Sequence, residues 1–161
     1  MLRIAKVLLI IIIAIWGIIG AIGNVLDWNG TIAAVGAVTS MTTFEGGDTS
    51  WQATSSPLVI WFGALFIMLS KVAAGIICSM GAWRMWSSKD SDLSAFLSAK
   101  KFALTGCAIA VIMLFGGFIV IAESWFELWR SDVMRGQVLE SAFRYGAMIL
   151  LISLFVSLPD D

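Results

Sequence analysis

Lys71 is the first place in this chain where chemistry could happen. It interrupts "FIMLSKVAAGIIC" (66–78), and no Asp or Glu lies within any of the four long apolar stretches. An ammonium at the centre of an isolated membrane helix costs about 2.5–3.5 kcal/mol on insertion scales. At helical rise it stands roughly 20 Å from either end of its apolar run, beyond the ~6 Å reach of a snorkelling lysine. Three roles are open to it. The ammonium bonds carbonyls or Ser70 inside its own bundle, pairs with a carboxylate or lipid headgroup from another molecule, or faces an aqueous path for a solute or proton.

The other reactive residue types are sparse. The chain has no histidine, which removes the usual ligand of haem, copper and catalytic zinc and the commonest general base. Cys78 and Cys107 are the only thiols, too few for a cysteine-ligated cluster. They fall at similar depths near the cytoplasmic ends of adjacent spans, where a reducing compartment makes them small apolar fillers. No serine has a histidine or second intramembrane lysine to activate it. Glu123, Glu127, Asp132 and Glu140 gather beside Arg130, Arg135 and Arg144, as a solvated face or as a cation or partner site. "NGT" (29–31) matches a glycosylation acceptor by chance. A net charge of −1 leaves no basic face for nucleic acid. These residues point to a protein that is not an enzyme and has no cofactor and no metal.

The elements that must position Lys71 follow from composition. The chain of 161 residues is 60% hydrophobic and 13% charged, more apolar surface than a soluble domain of this size can hide. The expectation is an all-α membrane protein, one transmembrane domain over 1–161, with spans at roughly 4–23, 58–82, 102–122 and 142–158. The apolar run at the N-terminus exceeds a signal-peptide core and reads as a retained span. Pro57 suits the start of the second span, and Pro159 closes the fourth. Arg3, Lys6, Arg84, Lys89, Lys100 and Lys101 outnumber Arg130, Arg135 and Arg144, which puts both termini in the cytoplasm. Trp61 and Trp125 mark one interface, Trp83 and Trp86 the other.

Two outer segments exceed simple turns. "GTIAAVGAVTSM" within 24–56 is apolar enough for a short helix lying on the membrane or tucked between spans. In "ESWFELWRSDVMRGQVLESAFRY", Trp125, Trp129 and Val133 recur every four residues and Glu127–Arg130 and Asp132–Arg135 every three, which predicts an interfacial helix with paired charges. Glycines at 17, 20 and 23 and at 106, 116 and 117 offer close helix approach. The third span, rich in Ala and Gly, is expected to be the most enclosed.

The elements "SMTTF" (40–44), "SSP" (55–57), "WFELWRS" (125–131), "GQ" with "AFR" (136–144) and the final "LPDD" resemble a bacterial family of predicted small integral membrane proteins of unknown function. The resemblance implies a four-span protein of the bacterial inner membrane. The family pattern carries a histidine ahead of the Ser-Met element and an acidic residue in the second span. Here Gly36 or a neighbour stands at the first and Lys71 near the second, a reversal that fits a swapped partner.

The function expected is that of an accessory or stabilising subunit of a larger inner-membrane complex. Its partners are other integral membrane subunits and lipid. Contact runs through Lys71 and through Trp125, Phe126, Trp129, Arg130 and Arg144. The alternative is a small oligomeric transporter or channel with Lys71 lining the path. A weaker third is a lipid- or quinone-contacting module built on the outer tryptophans.

Overall fold

Backbone groups surrounded by hydrocarbon must pair within their own segment, and each of the four apolar stretches is helical. The computed structural model describes residues 1–160; Asp161, the last residue of "LPDD", lies outside the described residues. Helix α1 spans Leu2–Leu26, α2 Trp28–Thr39, α3 Pro57–Ser87 and α4 Leu93–Val111. From α4 the chain runs on without a break as π-helical turns, Ile112–Trp125. After a 3₁₀ turn at Leu128–Arg130 and a π-helical turn at Gly136–Glu140 it forms α5, Ser141–Ser157. Leu2–Leu26, Pro57–Ser87, Leu93–Trp125 and Gly136–Ser157 are each long and apolar enough to cross a membrane. Every span is longer than its expected apolar run, the second by extension past residue 82 and the fourth by extension before residue 142.

Local chemistry sets the boundaries. Pro57 occupies the first turn of α3 after an extended Ser56, where a missing amide hydrogen costs nothing. Asp27 accepts from the Gly30 amide at 3.0 Å and starts α2. Asp92 does the same for α4 through Ala95, also at 3.0 Å. Asp92→Ala should lower stability by about 1 kcal/mol, seen as faster amide exchange confined to the first turn of α4.

Helix α3 is the centre of the bundle, with α1 along one side and α4 along the other, while α5 packs on α4 and the π-helical segment. Small residues permit this. A methyl built on Gly17 would lie 2.9 Å from the Gly75 nitrogen, and one on Gly106 2.8 Å from the Cys78 nitrogen. Of the glycines singled out in the sequence, Gly17 and Gly106 carry helix contacts, Gly20 borders the Lys71 side chain and Gly117 meets Phe66, whereas Gly23 and Gly116 have open space. On α3, Gly75, the partner of Gly17, and Gly81, which meets the Ala103 backbone of α4, escaped the sequence reading. The first span, not the third, has the larger buried share, 39% against 28%.

Two expectations about the outer segments meet different outcomes. The apolar stretch after α1 is the helix α2. Trp28 at its start packs against Trp61 with ring centroids 5.5 Å apart and planes tilted by 60°, and Val35 and Gly36 near its end approach Gly63 and Ile60. Both ends therefore meet the same short stretch of α3, so α2 crosses that helix instead of running along it. The second segment is not a continuous helix. Glu127 takes a left-handed conformation, φ 51°, and the chain turns at Leu128–Arg130 before the Ser131 hydroxyl accepts from the Met134 amide at 3.2 Å. The paired charges form nonetheless, Arg130–Glu127 at 2.8 Å and Arg135–Asp132 at 2.9 Å. A spacing of three is met by a single turn as well as by a helix.

Candidate functional site

The helix α3 brings Lys71 against α1, where Gly20 leaves room for its stem: a methyl there would sit 3.1 Å from the lysine Cδ. Passing over that gap, the ammonium donates to Asn24 Oδ1 at 2.7 Å. Asn24 Nδ2 in turn donates to the Thr31 hydroxyl at 3.0 Å, and that hydroxyl donates to the Asp27 carbonyl at 3.0 Å. A short polar chain thus runs from Lys71 into the corner between α1 and α2.

Of the three roles open to Lys71, the geometry shows bonding inside its own bundle, through the oxygen of a neutral side-chain amide and not through Ser70 or a backbone carbonyl. Asn24 was missed because it stands beyond the apolar run expected for the first span, and α1 continues past it to Leu26. The depth changes too. Along α1 the rise from Lys6 to Asn24 is about 27 Å, close to the ~30 Å of a hydrocarbon core. The ammonium is carried toward the far end of α1 from Lys6, not held halfway.

Beside Lys71 opens a cavity of about 640 Å³. Its walls are apolar: Val38 on α2, Phe62 and Phe66 on α3, and Gly117 and Ile121 on the π-helical segment. Polar groups reach it at the α1–α2 corner through Lys71, Asn24, Asp27 and Thr31. Bonding to i+5 makes the helix wider, and such turns are frequent at functional sites. Below the cavity the molecule is tightly packed, with Ala74 and Cys78 fully buried. Cys78 directs its thiol to the Ala103 carbonyl at 3.8 Å, and both cysteines are free and buried.

The residues expected to make interfacial contacts separate in the fold. Trp125 and Trp129 are exposed. Arg130 ties the two outer segments together, with its guanidinium 4.5 Å from the Phe44 ring centre and donating to the Glu45 carbonyl at 3.3 Å. Trp51 meets Trp125 edge-on at 5.3 Å, and Gln52 donates to Glu127 at 3.3 Å. Phe126, by contrast, is 7% exposed and faces the cavity. Arg144 stays apart from this cap, on α5 beside Ser141 and Tyr145.

A second charged cluster was not foreseen. Lys6 on α1 and Lys100 on α4 both pair with Asp160, Lys6 at 2.8 Å, and all three side chains are 3% exposed or less. The Leu158 carbonyl also accepts from both lysines, at 2.7 and 2.8 Å. Burial works against the charged Asp160 carboxyl, but the adjoining Lys100 and Lys6 outweigh it and hold the group below its ordinary value. In the sequence these lysines read only as flanking positive charges. The signal was an acidic ending after the last span, with basic residues near the starts of two others.

A family model described as predicted small integral membrane protein matches residues 2–159. No curated protein and no solved structure matches the chain.

Proposed function

Since the chain belongs to the predicted small integral membrane proteins of the DUF2165 family, we propose that it is a non-enzymatic accessory subunit of a larger bacterial inner-membrane complex. It docks laterally on other integral membrane subunits, with both termini in the cytoplasm. The observation that carries this reading is the outer cap. Residues 40–56 and 125–135 are tied to each other by Arg130, Gln52 and the Trp51–Trp125 pair. That same cap leaves Trp51 83% and Val133 76% exposed. Ordering a segment costs conformational entropy, and a rigid aromatic surface beside charged residues suits protein contact.

The topology rests on charge. Lys6, Lys100 and Asp160 bring the two chain ends to one end of the bundle, and the excess of Lys and Arg there favours the cytoplasmic side. The alternative reading, a small oligomeric transporter or channel, draws on the position of Lys71 at the cavity. Mild-detergent purification of a tagged chain tests between them. Unrelated subunits should co-purify in fixed stoichiometry, and Trp51→Ala with Trp129→Ala should cut their recovery at least tenfold. Recovery of a pure homo-oligomer, with ion flux in liposomes that Lys71→Met abolishes, would replace this reading with the channel.

A further inference from the structure

The cavity beside Lys71 has walls suited to hydrocarbon and one cation at its polar corner. Lysine ammonium carries three donors, and Asn24 Oδ1 is the hydrogen-bond acceptor the chain gives it. Donors left over against apolar walls are costly unless something accepts from them. The Asp27 carboxylate also lines the corner, but one of its oxygens is engaged by the Gly30 amide and the residue is exposed. A second negative charge there would meet Asp27 as well as Lys71. The chemistry therefore favours a single negative charge, delivered on an apolar body.

The geometry points to a binding site for a single-chain fatty carboxylate, its head on Lys71 and Asn24 and its chain along Phe62, Phe66 and the π-helical segment. The volume of about 640 Å³ falls within the ~300–1,000 Å³ typical of small-molecule sites. Asn24 serves the head from its amide nitrogen, which already donates to Thr31 and has a second hydrogen to offer. Gly116 keeps the chain path open: it lines the cavity, and a methyl built on it meets nothing within 4 Å. Phe126 and Met134 of the outer cap line this cavity, but the contacts assigned to the fatty carboxylate do not involve the exposed Trp51 and Trp129, so its failure would leave the accessory role standing.

The test uses the full chain in nanodiscs, with the fluorescent fatty acid cis-parinaric acid as probe and its methyl ester as the uncharged control. The acid should bind saturably and at least tenfold more tightly than the ester. Lys71→Met should weaken the acid at least tenfold and leave the ester unchanged, and Lys71→Arg should restore the difference. Gly116→Leu should weaken acid and ester alike by filling the channel while the protein elutes as the wild type does. Equal binding of acid and ester, or unchanged binding in Lys71→Met, overturns the assignment. So does displacement of the probe by diacyl phosphatidylglycerol at equimolar concentration, which would make the occupant a bilayer phospholipid.

Discussion

Asp160→Asn should destabilise the folded bundle by about 3 kcal/mol, read as thermal unfolding in detergent at neutral pH. Removing one member of a buried ion pair leaves its partner charged and uncompensated, which typically costs ~3–5 kcal/mol. Here two ammonium groups lose their only carboxylate partner among the described residues. The Leu158 carbonyl remains, which places the effect at the lower end of that range. Asparagine keeps the shape but turns an –NH₂ toward one lysine. Replacing the cluster by Lys6→Met, Lys100→Met and Asp160→Leu together should recover most of the loss, since apolar substitutes of similar volume are often neutral.

The same cluster gives a pH dependence with a fixed sign. The folded-state carboxyl is held below its ordinary value, so the folded protein keeps Asp160 ionised where the unfolded chain has begun to bind a proton. Its contribution is complete above about pH 5 and is lost as the pH falls below ~3.9 toward the folded-state value. Wild-type stability should therefore drop between pH 5 and 3, and Asp160→Asn should show a smaller drop over that interval.

Gly81→Val is the second large effect expected. A Cβ at Gly81 would press on the Ala103 backbone, with the Ala103 Cα at 2.6 Å and its Cβ at 2.8 Å. Neither helix can yield by turning a side chain, so α3 and α4 must separate along the central contact of the bundle. Overpacking of this kind costs about 1–3 kcal/mol, occasionally more, and the backbone contact puts Gly81→Val near the top. Gly116→Ala, entering open space, should change stability by less than about 1 kcal/mol and provides the comparison. Equal losses for both would show that the α3–α4 approach does not depend on the missing side chain.

Much of the fold was legible because hydropathy is additive along a chain. A run of apolar residues long enough to span hydrocarbon is helical whatever its neighbours do, and Pro57 marks where α3 begins. Contact between elements was less legible. Glycine clusters pointed to Gly17 and Gly106 but not to Gly75 and Gly81, because an isolated small residue carries no pattern until its partner helix is known. The expected interfacial helix at 125–133 failed for a related reason: the left-handed Glu127 interrupts a periodicity that side-chain types alone satisfied. Phe126 looked like its neighbouring aromatics in sequence, yet it ends the π-helical segment, its amide donating to the Ile121 carbonyl at 3.0 Å, and it lines the cavity.

By itself the sequence determined the solvent of this protein, the number of its spans and the scarcity of reactive groups, since each depends on residue types summed over a segment. Only the tertiary structure decided what faces each buried charge. Lys71 meets Asn24 across 47 positions of sequence, and Lys6 and Lys100 meet Asp160 near the far end of the chain. Electrostatic energy in a low-dielectric interior depends on ångström separations, and sequence order does not contain those distances.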